Sequence, residues 1–196
     1  MKRAGKIQRK TRETDIQITM NLDGKGHFDI NTGIGFFDHM LESLSHHSLI
    51  DMTVKADGDL NVDDHHTVED VGICLGQVLN RAAANMKGIQ RFGWALCPMD
   101  ETLARAAVDL CGRPTFVVNW EDIPKSLRGM ENETILEFFK ALAAEGRICI
   151  HLDVLRGKNR HHILEALFKS LALALRQALT MDERRQAVPS TKGTLS

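Results

Sequence analysis

Residues 63–70 read DDHHTVED, and residues 161–165 read HHILE. Each places two histidines side by side with a glutamate three residues after the second, so the pattern HHxxE occurs twice. Further matches surround the pair. Glu13-Thr14 leads to Leu22-Asp23-Gly24, and 88 residues on Glu101-Thr102 leads to Leu110-Cys111-Gly112. Phe36-Phe37 precedes a helical run, as Phe138-Phe139 does in the second half. Four landmarks in one order identify an internal duplication, with the drift between copies absorbed by a longer insertion around 115–135.

Local patterning repeats in the same order. TDIQITMNL (14–22) and ETLARAAVDL (101–110) alternate polar and apolar as half-buried strands, each ending at a glycine turn. GFFDHMLESLSHH (35–47) and ETILEFFKALAAEG (133–146) carry helical spacing, and LIDMTVKA (49–56) and RICIHLDVL (147–155) return to strand. HHTVEDVGICLGQVLNRAAANM (65–86) and HHILEALFKSLALALRQAL (161–179) are long apolar helices entered after turn-like GDLNVDD and RGKNR. The predicted fold is α+β: an internally duplicated two-layer sandwich of two strand-strand-helix-strand-helix units, sheets on one side and helices on the other. The repeats span about 1–90 and 91–185 of a single domain, and 186–196 is read as a flexible polar tail.

Composition narrows the function. The chain has 196 residues, 43% apolar and 26% charged, with a net charge of −1, which gives it no general affinity for nucleic acid or anionic membrane. Its basic start has no apolar run behind it, so it is not read as a signal peptide. The late apolar stretch is broken by Glu165, Lys169 and Arg176 and falls short of a membrane span. Four cysteines without a CxxC pair read as free thiols of a reducing compartment, which places the chain in the cytoplasm.

What remains distinctive is histidine. Neighbouring residues on a helix diverge by about 100°, so the two imidazoles of HHxxE cannot share a face, while the glutamate one turn on lies near both. One helix start thereby offers ligands toward two points, which suits two metal ions, and imidazole plus carboxylate without thiolate suits Mn, Fe or Zn. Single pairs of this kind are also common as solvated helix starts; the registered repeat favours metal binding over that reading. His39 and His151 have no counterpart in the opposite half. His151, in an apolar strand, has an alternative reading as a satisfied core histidine. With both included, His39, His65, His66, Glu69, His151, His161, His162 and Glu165 give two ions three imidazoles and one carboxylate each, with open positions as in a catalytic site. His46-His47 and His27 are assigned structural or solvated roles. Arg91, Arg113, Lys169 and the segment Ser190-Thr191-Lys192-Gly193 are scattered basic and hydroxyl groups of the kind a phosphate attracts, and each alone also reads as a surface charge.

These residues resemble one family, the imidazoleglycerol-phosphate dehydratases of histidine biosynthesis. The resemblance runs from RxTxET (Arg9 to Thr14) through LDG (22–24), TGIGFFDHML (32–41), GDLNVDDHHTVED (58–70), GIQRFG (88–93), PMDETLA (98–104), DLCGRP (109–114) and HHILEALFK (161–169) to PSTKG. It implies a Mn²⁺-dependent lyase with two ions per site, converting erythro-imidazoleglycerol phosphate to imidazole acetol-phosphate and water. It also implies trimers that build a 24-subunit shell with active sites between subunits. The eight metal ligands carry over by motif; Glu13 matches the acid/base glutamate; Arg91, Arg113, Lys169, Ser190 and Lys192, with Glu13, match substrate and phosphate contacts. AANMK before GIQR and the stretch 115–135 depart from the family pattern, neither at a ligand position.

The implied chemistry accounts for the histidines. The substrate has no carbonyl to acidify a C–H bond, but its hydroxyl carbon is joined to an imidazole. A ring held by metals as imidazolate can expel hydroxide to a diazafulvene-like intermediate, after which a base removes the neighbouring proton and an enol collapses to the ketone. Two other classes fit the ligands less completely. A metal store needs no phosphate clamp, and a dinuclear phosphate-ester hydrolase leans on bridging aspartates more than imidazoles.

Overall fold

A computed structural model describes residues 3–83, 86–120, 124 and 130–195. The expected alternation is realised in the central strands. In β2 (Thr14–Asn21), Thr14, Ile16, Ile18 and Met20 are buried, and in β6 (Thr102–Asp109) Thr102, Ala104, Ala106 and Val108 are. The first half holds β1 (Ala4–Lys10), β2, β3 (Phe28–Asn31), α1 (Gly35–Ser48), β4 (Asp51–Gly58) and α2 (His65–Ala82). The second repeats it with β5 (Phe92–Met99), β6, β7 (Thr115–Asn119), α3 (Asn132–Gly146), β8 (Cys149–Arg156) and α4 (Arg160–Leu179). The strand-strand-helix-strand-helix series is present in both, and each half adds one short strand, β3 or β7, ahead of its first helix. β7 opens the 115–135 insertion; residues 121–123 and 125–129 of that stretch, and 84–85 of AANMK, lie outside the described residues.

The sheets have the same order, β1-β2-β4-β3 and β5-β6-β8-β7, antiparallel except for the last pair in each. Even an unusual backbone detail is duplicated. α1 and α3 each end on a non-glycine residue in the left-handed region, Leu49 at φ 60° and Arg147 at φ 53°.

Each sheet buries one face under its own helices, and the halves then meet helix to helix, α2 on α3 and α1 on α4. Helices thus lie between the two sheets and share one core. Phe37 of α1 meets Phe138 of α3 edge-to-face at 5.2 Å, and Phe168 of α4 stacks on Phe138 at 5.5 Å. Neither half could bury these rings alone.

The outer faces differ sharply. Across sheet one a single cross-strand row reads Lys6, Thr19, Thr53, Asp29; the equivalent row of sheet two reads Trp94, Ala107, His151, Val117. Trp94 is 65% exposed and its neighbour Leu96 58%, so sheet two presents apolar side chains to the outside where sheet one presents polar ones.

The α2–α3 contact depends on Gly72 and Gly76. A Cβ on Gly76 would lie 2.7 Å from the Gly146 nitrogen and 2.8 Å from the Leu142 carbonyl oxygen. Alanine in an exposed helix gains about 1 kcal/mol over glycine. Here Gly76→Ala is expected to lower the denaturation midpoint instead, because overpacking against backbone costs about 1–3 kcal/mol. An unchanged or raised midpoint in chemical denaturation would contradict the close approach.

Candidate metal centre and substrate site

Because α1 packs on α4, His39 of the first half comes to the second half's HHxxE. His161 Nε2 lies 3.1 Å and His39 Nε2 3.5 Å from the same oxygen, Glu165 Oε2, and the three donor atoms are all within 4.8 Å of one another. Ligands of a first-row divalent ion sit about 2.0–2.2 Å from it, which puts neighbouring donors roughly 3 Å apart. The triangle is already close to that spacing. Glu165 is buried, which opposes its charge, but Lys169 Nζ at 2.7 Å and the nearby His39 outweigh burial and hold its carboxyl below the usual glutamate range. Phe36 meets the His161 ring edge-on at 5.3 Å and fixes one side of it.

The first-half copy is less complete within one chain. His65 Nε2 is 3.6 Å from Glu69 Oε2, and α3 has Ala141 where α1 has His39, so no third imidazole joins among the described residues. His151 is on the exposed outer face of sheet two, in the row between Ala107 and Val117; the core reading of that residue does not hold. The strand's alternation explains this, since Ile150 and Leu152 take the buried side.

The adjacent imidazoles do diverge. The rings of His65 and His66 stand at 89°, those of His161 and His162 at 88°. The second histidine of each pair gives its Nδ1 to a carboxylate: His66 to Asp59 at 3.0 Å, His162 to Glu101 at 2.8 Å. Those hydrogen bonds are the main reason both imidazoles titrate above the ordinary histidine range. Such partners leave Nε2 available to a ligand, the usual outer-shell arrangement of metal-bound histidine. Asp59 and Glu101 were not legible as site residues in the sequence; only their positions one turn-loop away from each HHxxE hinted at it.

Glu13 is on the turn between β1 and β2. Its carbonyl accepts the Asp59 N–H at 3.0 Å, which sets it beside the partner of His66, and its carboxylate has no hydrogen-bond partner among the described residues. The turn is tied down by Asp70 of α2, whose Oδ2 accepts from both Arg9 and the Thr14 hydroxyl. Residues 10–15 and 57–59 line an open cavity of about 260 Å³. A larger one, about 570 Å³, lies against β3 and β4 of sheet one and contains none of the candidate ligands.

The basic residues fall into separate groups. Arg91, at φ 74°, grips Asp109 through Nε at 2.7 Å and the Pro189 carbonyl through Nη1 at 2.9 Å. It therefore pins the tail just before Ser190, and Ser190 Oγ in turn accepts the Lys192 N–H. The tail expected to be flexible is held at this point. Lys169 sits on Glu165 as described, and Arg113 is exposed on the β6–β7 turn without joining either group. His47, assigned a structural role from sequence, is partly buried, and burial first, then the charges of Lys169 and His46, hold it below the ordinary histidine range.

The sequence profile of the imidazoleglycerol-phosphate dehydratase family matches residues 32–175. The chain is 55% identical over 196 residues to an imidazoleglycerol-phosphate dehydratase of Dinoroseobacter shibae, covering 98% of this chain and 100% of that one. A Cereibacter sphaeroides protein of the same name is 52% identical over 194 residues, with the same coverage. Among solved structures, the Staphylococcus aureus imidazoleglycerol-phosphate dehydratase is similar at 38% identity and a TM-score of 0.82, over 91% of this chain and 99% of that chain. The Pyrococcus furiosus enzyme in complex with (S)-C348 matches at 37% and 0.83, over 96% and 100%.

Asp70→Ala removes the acceptor shared by Arg9 and the buried Thr14 hydroxyl. It is expected to destabilise the fold by about 2–3 kcal/mol, less than the loss of a fully buried pair because the Arg9 side chain is a third exposed. Amide exchange across residues 9–14 should accelerate with it. Unchanged exchange there would mean that Asp70 does not hold the Glu13 turn.

Proposed function

The chain belongs to the imidazoleglycerol-phosphate dehydratase family and is a dehydratase of histidine biosynthesis, and from that premise we propose that it works through two Mn²⁺ ions held at sites completed between copies of the chain. The His39–His161–Glu165 triangle carries the proposal: two imidazoles and a buried carboxylate at ligand spacing, with no thiolate. His65, His66, Glu69 and His162 extend the ligand set, and His151 completes it from another copy. Its place on an exposed apolar row supports that, since the same face offers what a neighbouring copy would cover. The assembly proposed is the family's 24-subunit shell of trimers, in the cytoplasm. No helix among the described residues is long and apolar enough to cross a membrane.

Ions held by these histidines and glutamates would supply Lewis acidity toward the substrate's imidazole ring, which would ease loss of the adjoining hydroxyl. The chain's own groups do the rest. Glu13, exposed and with no hydrogen-bond partner for its carboxylate among the described residues, removes the proton from the next carbon, and the resulting enol becomes the ketone. Arg91, Arg113, Lys169, Ser190 and Lys192, in separate groups within one chain, are the substrate and phosphate contacts that meet between copies and fix which C–H faces Glu13. The tail 186–196 brings Ser190 and Lys192 to the site, positioned by Arg91. An unpaired glutamate next to the imidazoles favours an enzyme over a metal store, for which it would have no use.

Mn²⁺-loaded protein given imidazoleglycerol phosphate is expected to form the ketone with no free phosphate; phosphate release would identify a hydrolase, and neither product a store. Glu13→Gln should lower turnover by at least about 100-fold with its metal content intact. Full turnover in that variant would remove Glu13 from proton transfer.

Assembly has its own readout. Chelation of the metal, and separately Trp94→Glu, are each expected to shrink the particle in light scattering. Apo protein of unchanged size would contradict ligands shared between copies.

A further inference from the structure

The two halves treat equivalent glutamates differently. Glu13 and Glu101 both precede a buried threonine at the start of a central strand, Thr14 and Thr102. Thr14 pairs with Gly58, and a Cβ on Gly157 would lie 2.6 Å from Thr102 Oγ1, so Gly58 and Gly157 are also equivalents. The residue after that glycine is Asp59 in the first half and Lys158 in the second. Asp59 holds His66; Lys158 cannot hold His162. Glu101 does so instead, through Oε2, while its Oε1 accepts the backbone N–H groups of Lys158 at 3.0 Å and Asn159 at 2.8 Å. Asn159 then caps α4, its side chain accepting from His161 N and His162 N. One carboxylate thus ties the loop, the helix start and the imidazole together.

We infer that Glu101 is a positioning residue, the duplicate of Glu13 turned from a free carboxylate into the group that fixes the tautomer of His162. An ionised carboxylate has no proton to give, so in the neutral ring the proton of the 2.8 Å contact belongs to Nδ1, and Nε2, 3.7 Å from Asp100 Oδ2 and beyond hydrogen-bond reach of it, keeps its lone pair for a ligand. In the first half Asp59 does this work and Glu13 stays free. The duplication therefore yields one proton-transfer glutamate per chain and not two. The functional value of the tautomer rests on the two-ion reading; the tautomer itself does not.

The test reads metal-free protein labelled with ¹⁵N-histidine, the His162 signal being identified by its loss in His162→Asn. Read at a pH where the ring is neutral, the parent is expected to carry its proton on Nδ1. Glu101→Gln keeps an oxygen for the two backbone N–H groups but turns an amide N–H toward the ring, and is expected to move the proton to Nε2. Mn²⁺ affinity by titration calorimetry should then fall about 10–100-fold, the range seen when outer-shell partners of metal ligands are lost, while Glu13→Gln leaves tautomer and affinity within twofold of the parent. A proton on Nε2 in the parent overturns the inference, and so does Glu101→Gln with the parent's tautomer. The parent spectrum decides alone if that variant fails to fold. A parent that binds no Mn²⁺ sinks the two-ion reading and leaves the tautomer result standing.

Discussion

Helix against helix across the duplication is the contact on which the rest of this structure depends. A sheet with helices on one face still leaves the far side of those helices apolar, and each half solves this with the other half's helices. α2 can approach α3 because Gly72 and Gly76 remove two side chains from the seam. α1 can approach α4, and that approach makes a His39–His161–Glu165 group out of residues more than a hundred positions apart. Core and site are therefore one problem, and a chain that failed to bury Phe37 on Phe138 would have no reason to bring His39 to Glu165.

Much of this was readable in the sequence because it is periodic. Alternation gave β2 and β6, the 3.6-residue period gave the four helices, and the repeat of HHxxE gave the duplication that orders them. The perpendicular rings of each histidine pair follow from helical geometry alone. Less periodic features were not readable. β3 and β7 are four and five residues long at sheet edges, too short for alternation to declare itself. His151 looked apolar by its neighbours, yet strand parity puts it on the outside. Asp59 and Glu101 act through a hydrogen bond formed only when loops distant in sequence converge, and no spacing rule announces such a bond.

The copies have diverged mainly beside the histidines and on their outer faces, and little in their framework. Strand order and even the left-handed helix ends at Leu49 and Arg147 are common to both, and the register of the central pair differs only by a shift between Leu103 and Ala104 in the second half. The differences lie on outward faces and beside the histidines: a polar row against an apolar one, Asp59 against Lys158, a free Glu13 against a committed Glu101. A duplicated scaffold tolerates this because exposed positions cost little to change, whereas a core position is felt by its neighbours on both halves.

The ion pair between Lys169 and Glu165 bears on the order in which the molecule matures. Burying an unpaired carboxylate would cost several kcal/mol and would make an ion a partner in folding itself, as in small zinc domains. Here the counter-charge comes from the same helix one turn on, so Glu165 stays ionised with no ion beside it. The chain can complete its fold first and take up metal afterwards. On the two-ion reading, the supply of metal would then limit how much of it is active, and not how much of it survives.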